Sequence, residues 1–89
     1  MGTLTTEDID KLEDIIKIDE TYSFVYAYTI KKGRFIKGEE SIKNNAYISY
    51  KYAKDVIKGR FEKAEVTLLK SPNKELRESY LDLLSKDKK

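Results

Sequence analysis

Hydrophobic residues recur at helical spacing near the start of the chain. Ile9, Leu12 and Ile16 form an i, i+3, i+7 stripe, with Ile15 beside it. One of the two threonines just before the stripe can cap a helix by accepting an unpaired backbone N–H, and acidic residues follow where the helix dipole favours them. We therefore predict a first helix over residues 5–17.

The next segment, residues 21–32, has two possible interpretations. Its aromatic and β-branched residues alternate, which by itself predicts a strand and a hairpin turning at residues 32–33. However, residues 47–61 are a near-copy of residues 21–35, and in that copy Tyr52 and Val56 lie on one helical face. Because two copies are expected to share one structure, we predict a helix in both.

Glycine and proline mark the ends of the remaining elements. Gly33 and Gly59 follow the two tyrosine-rich helices, and we predict that each ends its helix in a left-handed conformation. Short second helices are predicted over residues 38–45 and 64–71. A last helix is predicted over residues 73–86, after the only proline and before a frayed tail, with an apolar stripe of Leu76, Tyr80, Leu83 and Leu84.

The chain contains an internal repeat. Residues 20–45 align without gaps on residues 46–71, with identities at Ser23/Ser49, Tyr26/Tyr52, Ala27/Ala53, Lys32/Lys58, Gly33/Gly59, Arg34/Arg60, Phe35/Phe61, Lys37/Lys63 and Glu39/Glu65. The register extends backwards, so that Glu13 falls on Glu39. With one inserted residue near Pro72, it also extends forwards into the last helix.

This alignment predicts an all-α fold, a short helical-repeat domain that is α-solenoid-like, with half-repeat caps at both ends. The single domain spans residues 1–89. It consists of an N-terminal cap helix (1–19), repeat 1 (20–45), repeat 2 (46–71), and a C-terminal cap helix and tail (72–89). From the repeated positions, we expect Tyr22, Tyr26, Tyr52, Phe35 and Phe61 to be mostly in the core.

The segment Tyr-Ala-x-x-Val-Ile-Lys-Gly-Arg-Phe at residues 52–61, with Glu65 after it, resembles a known type of sequence. It is similar to helical repeats of about 26 residues in largely uncharacterised proteins of bacteriophages and large DNA viruses. The resemblance covers residues 22–69, although Ile36 and Glu62 stand where those repeats usually have proline. It implies an α-solenoid-like scaffold and a phage origin, and it supplies no catalytic residue.

Composition excludes several kinds of chemistry. The 89 residues include no cysteine, histidine or tryptophan, so disulfides, thiolate zinc sites and imidazole-based triads are impossible. The net charge of +2 does not by itself indicate nucleic-acid binding. We therefore expect a non-enzymatic protein without metal or cofactor.

The same composition bears on location. No apolar run approaches the roughly 20 residues of a membrane span, and the first residues lack the pattern of a signal peptide. We expect a cytoplasmic protein without a membrane partner, in the host cytoplasm if the chain is phage-encoded.

The first functional hypothesis concerns the outer face on which the two copies differ. Tyr28, Tyr47 and Tyr50 are not constrained by the repeat, and Lys54 lies beside them. Exposed tyrosines are common contact residues in protein interfaces. These four residues are our candidate partner-binding site for a protein–protein interaction module, with a host protein or defence factor as the guessed target and a homo-oligomer left open.

The alternative hypothesis concerns the repeated Lys-Gly-Arg corners. Lys32, Arg34, Lys58 and Arg60 are candidates for binding the phosphates of a nucleic acid or of a nucleotide ligand. A structural interpretation competes with it, because each arginine is followed five residues later by a glutamate that can pair with it. The acidic side chains themselves, Glu39 and Glu40 and those of the first helix, are expected to form a solvated face.

Overall fold

The computed structural model describes residues 5–87, and in that range the chain forms helices and no strand. The fold is all-α, so the hairpin interpretation of residues 21–32 is excluded. The α-helices are α1 (Thr6–Ile16), α2 (Glu20–Val25), α3 (Glu39–Ile42), α4 (Ala46–Tyr52), α5 (Glu65–Leu69) and α6 (Lys74–Asp87). Two π-helical segments continue α2 and α4, at Tyr26–Lys31 and Ala53–Ile57, and two 3₁₀ turns precede α3 and α5, at Ile36–Gly38 and Glu62–Ala64.

Side chains cap the starts of four helices. The Thr5 hydroxyl accepts from the Asp8 N–H at 3.1 Å while the Asp8 carboxylate accepts from the Thr5 N–H, which confirms the predicted start of α1. Asp19, Asn45 and Asn73 each accept from the backbone N–H three residues later, at 2.9, 3.0 and 3.1 Å. Each cap contributes about 1 kcal/mol.

The two tyrosine-rich helices end differently from the prediction. The left-handed residues are Lys32 (φ 54°) and Lys58 (φ 63°), and no glycine among the described residues has a positive φ. In the wide π turn, the N–H groups of Lys32 and Gly33 both donate to the Ala27 carbonyl, the latter at 3.1 Å. The left-handed residue that ends each helix is therefore the lysine. The prediction that Gly33 and Gly59 adopt the left-handed conformation is wrong.

The short helices α3 and α5 and the last helix, α6, lie close to their predicted places. The 3₁₀ turns begin two residues before each predicted start, and α6 continues to Asp87 where fraying was expected. Residues 88–89 of the expected tail lie outside the described residues. Gly38 has a steric role, because a Cβ there would lie 2.5 Å from the Ser23 hydroxyl oxygen.

The core is built mainly from positions that recur in both copies. It contains Phe24, Ala27, Phe35, Ile42, Tyr52, Ala53, Phe61, Ala64, Leu68, Leu76 and Tyr80. The predictions for Phe35, Tyr52 and Phe61 are confirmed, and Tyr26 is partly buried against the core. Tyr22 is 66% exposed, so its prediction is wrong. The buried face of α2 runs instead through Ser23 and Phe24, since the Ser23 hydroxyl donates to the Ile16 carbonyl at 3.1 Å.

The first helix also has an unexpected orientation. Its one buried side chain is Glu13, whereas Leu12 of the predicted apolar stripe is 45% exposed and Ile9 is similarly exposed. Glu13 lies inward because it accepts a hydrogen bond from Tyr26, 13 residues away. Of the predicted stripe, Ile16 packs against the core, and the bond to Tyr26 turns Glu13 inward in place of Leu12.

The helices pack in a consistent order. α2 contacts α4, and α4 contacts α6, while α1 contacts the first 3₁₀ turn and α3 contacts the second. The molecule measures 48 × 27 × 16 Å. Tyr80 makes the same bonds as Tyr52 and lies 28 residues after it, whereas Tyr26 and Tyr52 are 26 apart. The last helix thus aligns with two inserted residues, and the predicted single insertion is wrong.

Candidate functional site: the Lys-Gly-Arg corners and the aromatic flank

Each arginine of the Lys-Gly-Arg corners is paired with the glutamate five residues later. Arg34 donates to both carboxylate oxygens of Glu39, at 2.9 and 3.0 Å. Arg60 does the same to Glu65, at 2.7 and 2.8 Å. These two-pronged bonds confirm the structural interpretation of the corners.

A tyrosine from the following tyrosine-rich or terminal helix completes each corner. The Tyr52 hydroxyl donates to Glu39 at 2.7 Å and accepts from the Phe35 N–H at 2.7 Å. The Tyr80 hydroxyl donates to Glu65 at 2.7 Å and accepts from the Phe61 N–H at 3.2 Å. Each network thus joins the start of one short helix to a helix 13 to 15 residues further along the chain.

A third network of the same kind lies at the N-terminal end but lacks an arginine. Tyr26 donates to Glu13 at 2.6 Å, while Lys31 and Lys37 place ammonium groups at 3.6 and 3.4 Å. The hydrogen bond from Tyr26 holds the pKa of Glu13 below its usual range despite burial, and it raises the pKa of Tyr26 to about 12. Asp8 occupies the position equivalent to Arg34, so lysines replace the guanidinium here.

The corner carboxylates are buried or partly buried, yet they remain charged. Glu39 is fully buried, which corrects the expectation that it belongs to a solvated face. Burial alone would raise its pKa, but hydrogen bonds from Arg34 and Tyr52 hold the pKa below its ordinary value. For Glu65, the bond from Arg60 is the main cause of a lowered pKa. Carboxylates with their acceptor sites occupied in this way are suited to holding helices together, not to moving protons.

The two lysines of the corners have different surroundings from the arginines. Lys32 and Lys58 are exposed and line a single depression of about 370 Å³ between the two π-helical segments, which contact each other. We call it the π-end depression. It is lined by Ala27, Tyr28, Lys32, Gly33, Asp55, Val56 and Lys58. The structure therefore separates the predicted phosphate-binding set, bringing the lysines together and binding the arginines to glutamates.

Two of the aromatic candidates, Tyr28 and Tyr47, are connected through Phe24 and Lys51. Tyr28 stacks on Phe24 with ring centroids 5.8 Å apart and planes 7° apart. The Lys51 ammonium lies 5.5 Å from the Phe24 ring centre and 5.8 Å from that of Tyr47. We call Phe24, Tyr28, Tyr47 and Lys51 the aromatic–lysine cluster. It connects two of the predicted tyrosines, Tyr28 on the π-helical segment that continues α2 and Tyr47 on α4.

The remaining candidates form a separate pair. The Lys54 ammonium lies 5.7 Å from the Tyr50 ring centre. Tyr50 is partly buried against the core, which corrects the expectation that it is exposed on the outer face. Tyr28 and Tyr47 are 54% and 60% exposed, as expected for an outer face. Sequence reasoning missed Lys51 and Phe24, although the i, i+4 spacing from Tyr47 to Lys51 was available as a signal.

Other kinds of site are not indicated in the part of the chain that the structure describes. Between residues 5 and 87, no three side chains of metal-ligating type converge. None of the described helices combines the length and the apolar character required to cross a membrane. Comparison with protein-family models, with curated proteins and with solved structures gives no match to this chain.

Proposed function

We propose that this chain is a small non-enzymatic module that binds another protein through the aromatic–lysine cluster and the neighbouring pair of Tyr50 and Lys54. The observation that carries the proposal is the exposed aromatic surface formed by Tyr28 and Tyr47. Tyr28 and Tyr47 offer large amphipathic rings, and stacking on Phe24 and contact with Lys51 limit their motion before any partner arrives. Pre-ordered tyrosines lose little entropy on binding, which favours a protein interface.

We further propose that the scaffold is a short α-solenoid-like repeat. Its support is the recurrence of one network at Glu13, Glu39 and Glu65, each accepting from a tyrosine of a later helix. The flat, elongated dimensions of 48 × 27 × 16 Å agree with stacked helical pairs. Such a scaffold presents one continuous flank, on which side chains from α2 and α4 meet.

The partner class follows from the chemistry of the flank and from the sequence resemblance. The resemblance to viral repeats makes a bacterial host protein, such as a defence factor, the target that we propose to test first. The corner carboxylates support the non-enzymatic part of the proposal, because Glu39 and Glu65 are committed to arginine and tyrosine donors.

Site-directed photocrosslinking in bacterial lysate tests this function. A photoreactive phenylalanine analogue at Tyr28 or Tyr47 should yield one discrete crosslinked protein, and the Tyr47→Ala substitution should abolish the Tyr28 crosslink. Tyr22 is a matched control, since it is 66% exposed but lies outside the cluster. Equal crosslinking from Tyr22, or no discrete product from either cluster position, would refute the proposal.

A second candidate function is binding of a phosphorylated ligand or nucleic acid at the π-end depression. One observation favours it, namely that Lys32 and Lys58 line the same depression. Phosphate binding predicts an affinity that falls steeply with salt. Titration with a labelled oligothymidylate between 20 and 200 mM salt (about a tenfold range) tests it, and absence of binding at the low end would exclude it.

A further inference from the structure

The π-end depression contains two lysines that form no ion pair with the described carboxylates of the protein. Among residues 5–86, whose side chains are described, neither Lys32 nor Lys58 has a carboxylate oxygen within 4.0 Å. In contrast, Lys31, next to Lys32 in sequence, and Lys37 each pair with Glu13. The depression therefore has two ammonium groups available to a ligand.

The backbone around these lysines is unusual in two ways. Lys32 and Lys58 both have positive φ values, a conformation that costs a non-glycine residue on the order of 1 kcal/mol. Gly33, by contrast, does not have a positive φ, and a Cβ added to it would meet nothing within 4 Å. Neither backbone conformation nor packing thus requires glycine at this position of the depression wall, whereas close approach of a ligand would.

The remaining lining residues define the chemistry of the ligand. Tyr28 and Val56 offer apolar surface, and Asp55 adds one negative charge that opposes a polyphosphate chain. Arg34 and Arg60, which planar recognition of phosphate would use, are committed to glutamates. A mixed lining of two lysines and apolar side chains suits a carboxylate next to an apolar group.

We propose that the π-end depression binds an acidic peptide segment of the protein partner. A glutamate or aspartate of that segment pairs with Lys32 and Lys58, and an adjacent aromatic or aliphatic side chain packs against Tyr28 and Val56. This inference rests on the proposed protein-binding function and extends its surface from the aromatic–lysine cluster, with Tyr28 shared by both.

Peptide titration followed by NMR tests the inference. The probe is a panel of blocked decapeptides in which glutamate alternates with phenylalanine or leucine, added to the ¹⁵N-labelled full chain. The control is a matched panel of peptides in which every glutamate is replaced by glutamine. We expect shifts of the amides of Lys32, Gly33 and Lys58 with the glutamate panel alone. The Lys32→Gln or Lys58→Gln variant should weaken binding about threefold each, as for an exposed ion pair, while the Lys70→Gln control leaves it unchanged.

Two further variants sharpen the test. Gly33→Ala should keep the unfolding midpoint and weaken peptide binding, because its methyl group enters open space along the depression. Lys32→Gln keeps the left-handed residue a non-glycine one, so lost binding cannot come from a changed backbone preference. If the glutamate and glutamine panels shift the same amides equally, or if neither binds at millimolar concentration, the inference is overturned.

Other occupants give distinct results that also overturn it. Stronger binding of an oligothymidylate than of the acidic peptides, lost in the Lys32→Gln variant, would assign the depression to nucleic acid. Dimerisation by sedimentation, lost in the same variant, would assign it to a second copy. If photocrosslinking from Tyr47 captures a partner and Lys32→Gln plus Lys58→Gln leaves that capture unchanged, this inference fails while the proposed function stands.

Discussion

The Tyr52 hydroxyl offers the sharpest test of how the fold is held together. It donates to Glu39 at 2.7 Å and accepts from the backbone N–H of Phe35 at 2.7 Å, in a position without solvent exposure. The Tyr52→Phe substitution keeps the ring and its packing against Phe61, whose centroid is 4.9 Å away. It therefore removes two hydrogen bonds and changes little else.

The expected loss can be worked out from these contacts. A hydrogen bond to a charged acceptor contributes about 1.5–3 kcal/mol, and a buried N–H left without a partner costs about 1–3 kcal/mol. Since Glu39 keeps its bonds to Arg34 and to Lys63, we expect the lower half of the combined range, about 3 kcal/mol. For a chain of this size, that corresponds to a fall in Tm of roughly 12 °C or more.

Tyr26→Phe is the matched control. Its hydroxyl makes one hydrogen bond, to the Glu13 carboxylate, and it is only partly buried, so its removal should cost about 1.5 kcal/mol, the low end for a charged acceptor. Urea denaturation followed by circular dichroism at 222 nm, with thermal melts in parallel, measures both losses. A Tyr52→Phe variant no less stable than Tyr26→Phe would refute the argument that the doubly bonded hydroxyl holds the two helices together.

Three other predictions concern charge, packing and backbone. The lowered pKa of Glu39 implies stability that is complete above its unfolded pKa, about 4.3, and that is lost as pH falls through its lower folded pKa. The urea midpoint of unfolding should therefore fall as the pH is lowered below about 4.3. The fall should be less steep in the Glu39→Gln variant, and an equal dependence of the midpoint on pH in both proteins would contradict this. Gly38→Ala forces a Cβ against Ser23 and should lower the free energy of unfolding by about 1–3 kcal/mol. Gly33→Ala should change it by no more than about 0.5 kcal/mol, and similar thermal melts for the two variants would contradict this difference. Lys58→Gly removes the strain of a side chain at positive φ and should raise the free energy of unfolding by about 0.5–1 kcal/mol in urea titrations. A lower free energy of unfolding would contradict this.

The buried corners combine an energetic cost with specificity. Placing Glu39 out of solvent is unfavourable unless every acceptor site is used, and Arg34, Tyr52 and Lys63 together supply those donors. No buried side-chain polar atom among the described residues lacks a hydrogen-bond partner. Any slip of one helix pair against the next would leave a buried carboxylate without its tyrosine, so we propose that the networks set the register of stacking.

Sequence alone determined the features that depend on near neighbours along the chain. The all-α fold, the Thr5 cap and the pairing of Arg34 with Glu39 were all predictable. Their partners lie within five residues along the chain, so that short separation in sequence keeps them near each other. The exposed positions of Tyr28 and Tyr47 were also predictable, because the two copies differ there.

Tertiary structure decided everything that depends on how successive helices stack. The burial of Glu13 in place of Leu12 and the exposure of Tyr22 both follow from contacts beyond local range. The left-handed lysines depend on the π turns, which hydrophobic periodicity does not reveal. The π-end depression exists only because two segments 26 residues apart pack side by side, and this packing brings Lys32 and Lys58 to one surface. Burying the Glu13 carboxylate is tolerable only with a donor such as Tyr26 beside it, and that condition can be judged only from the tertiary structure.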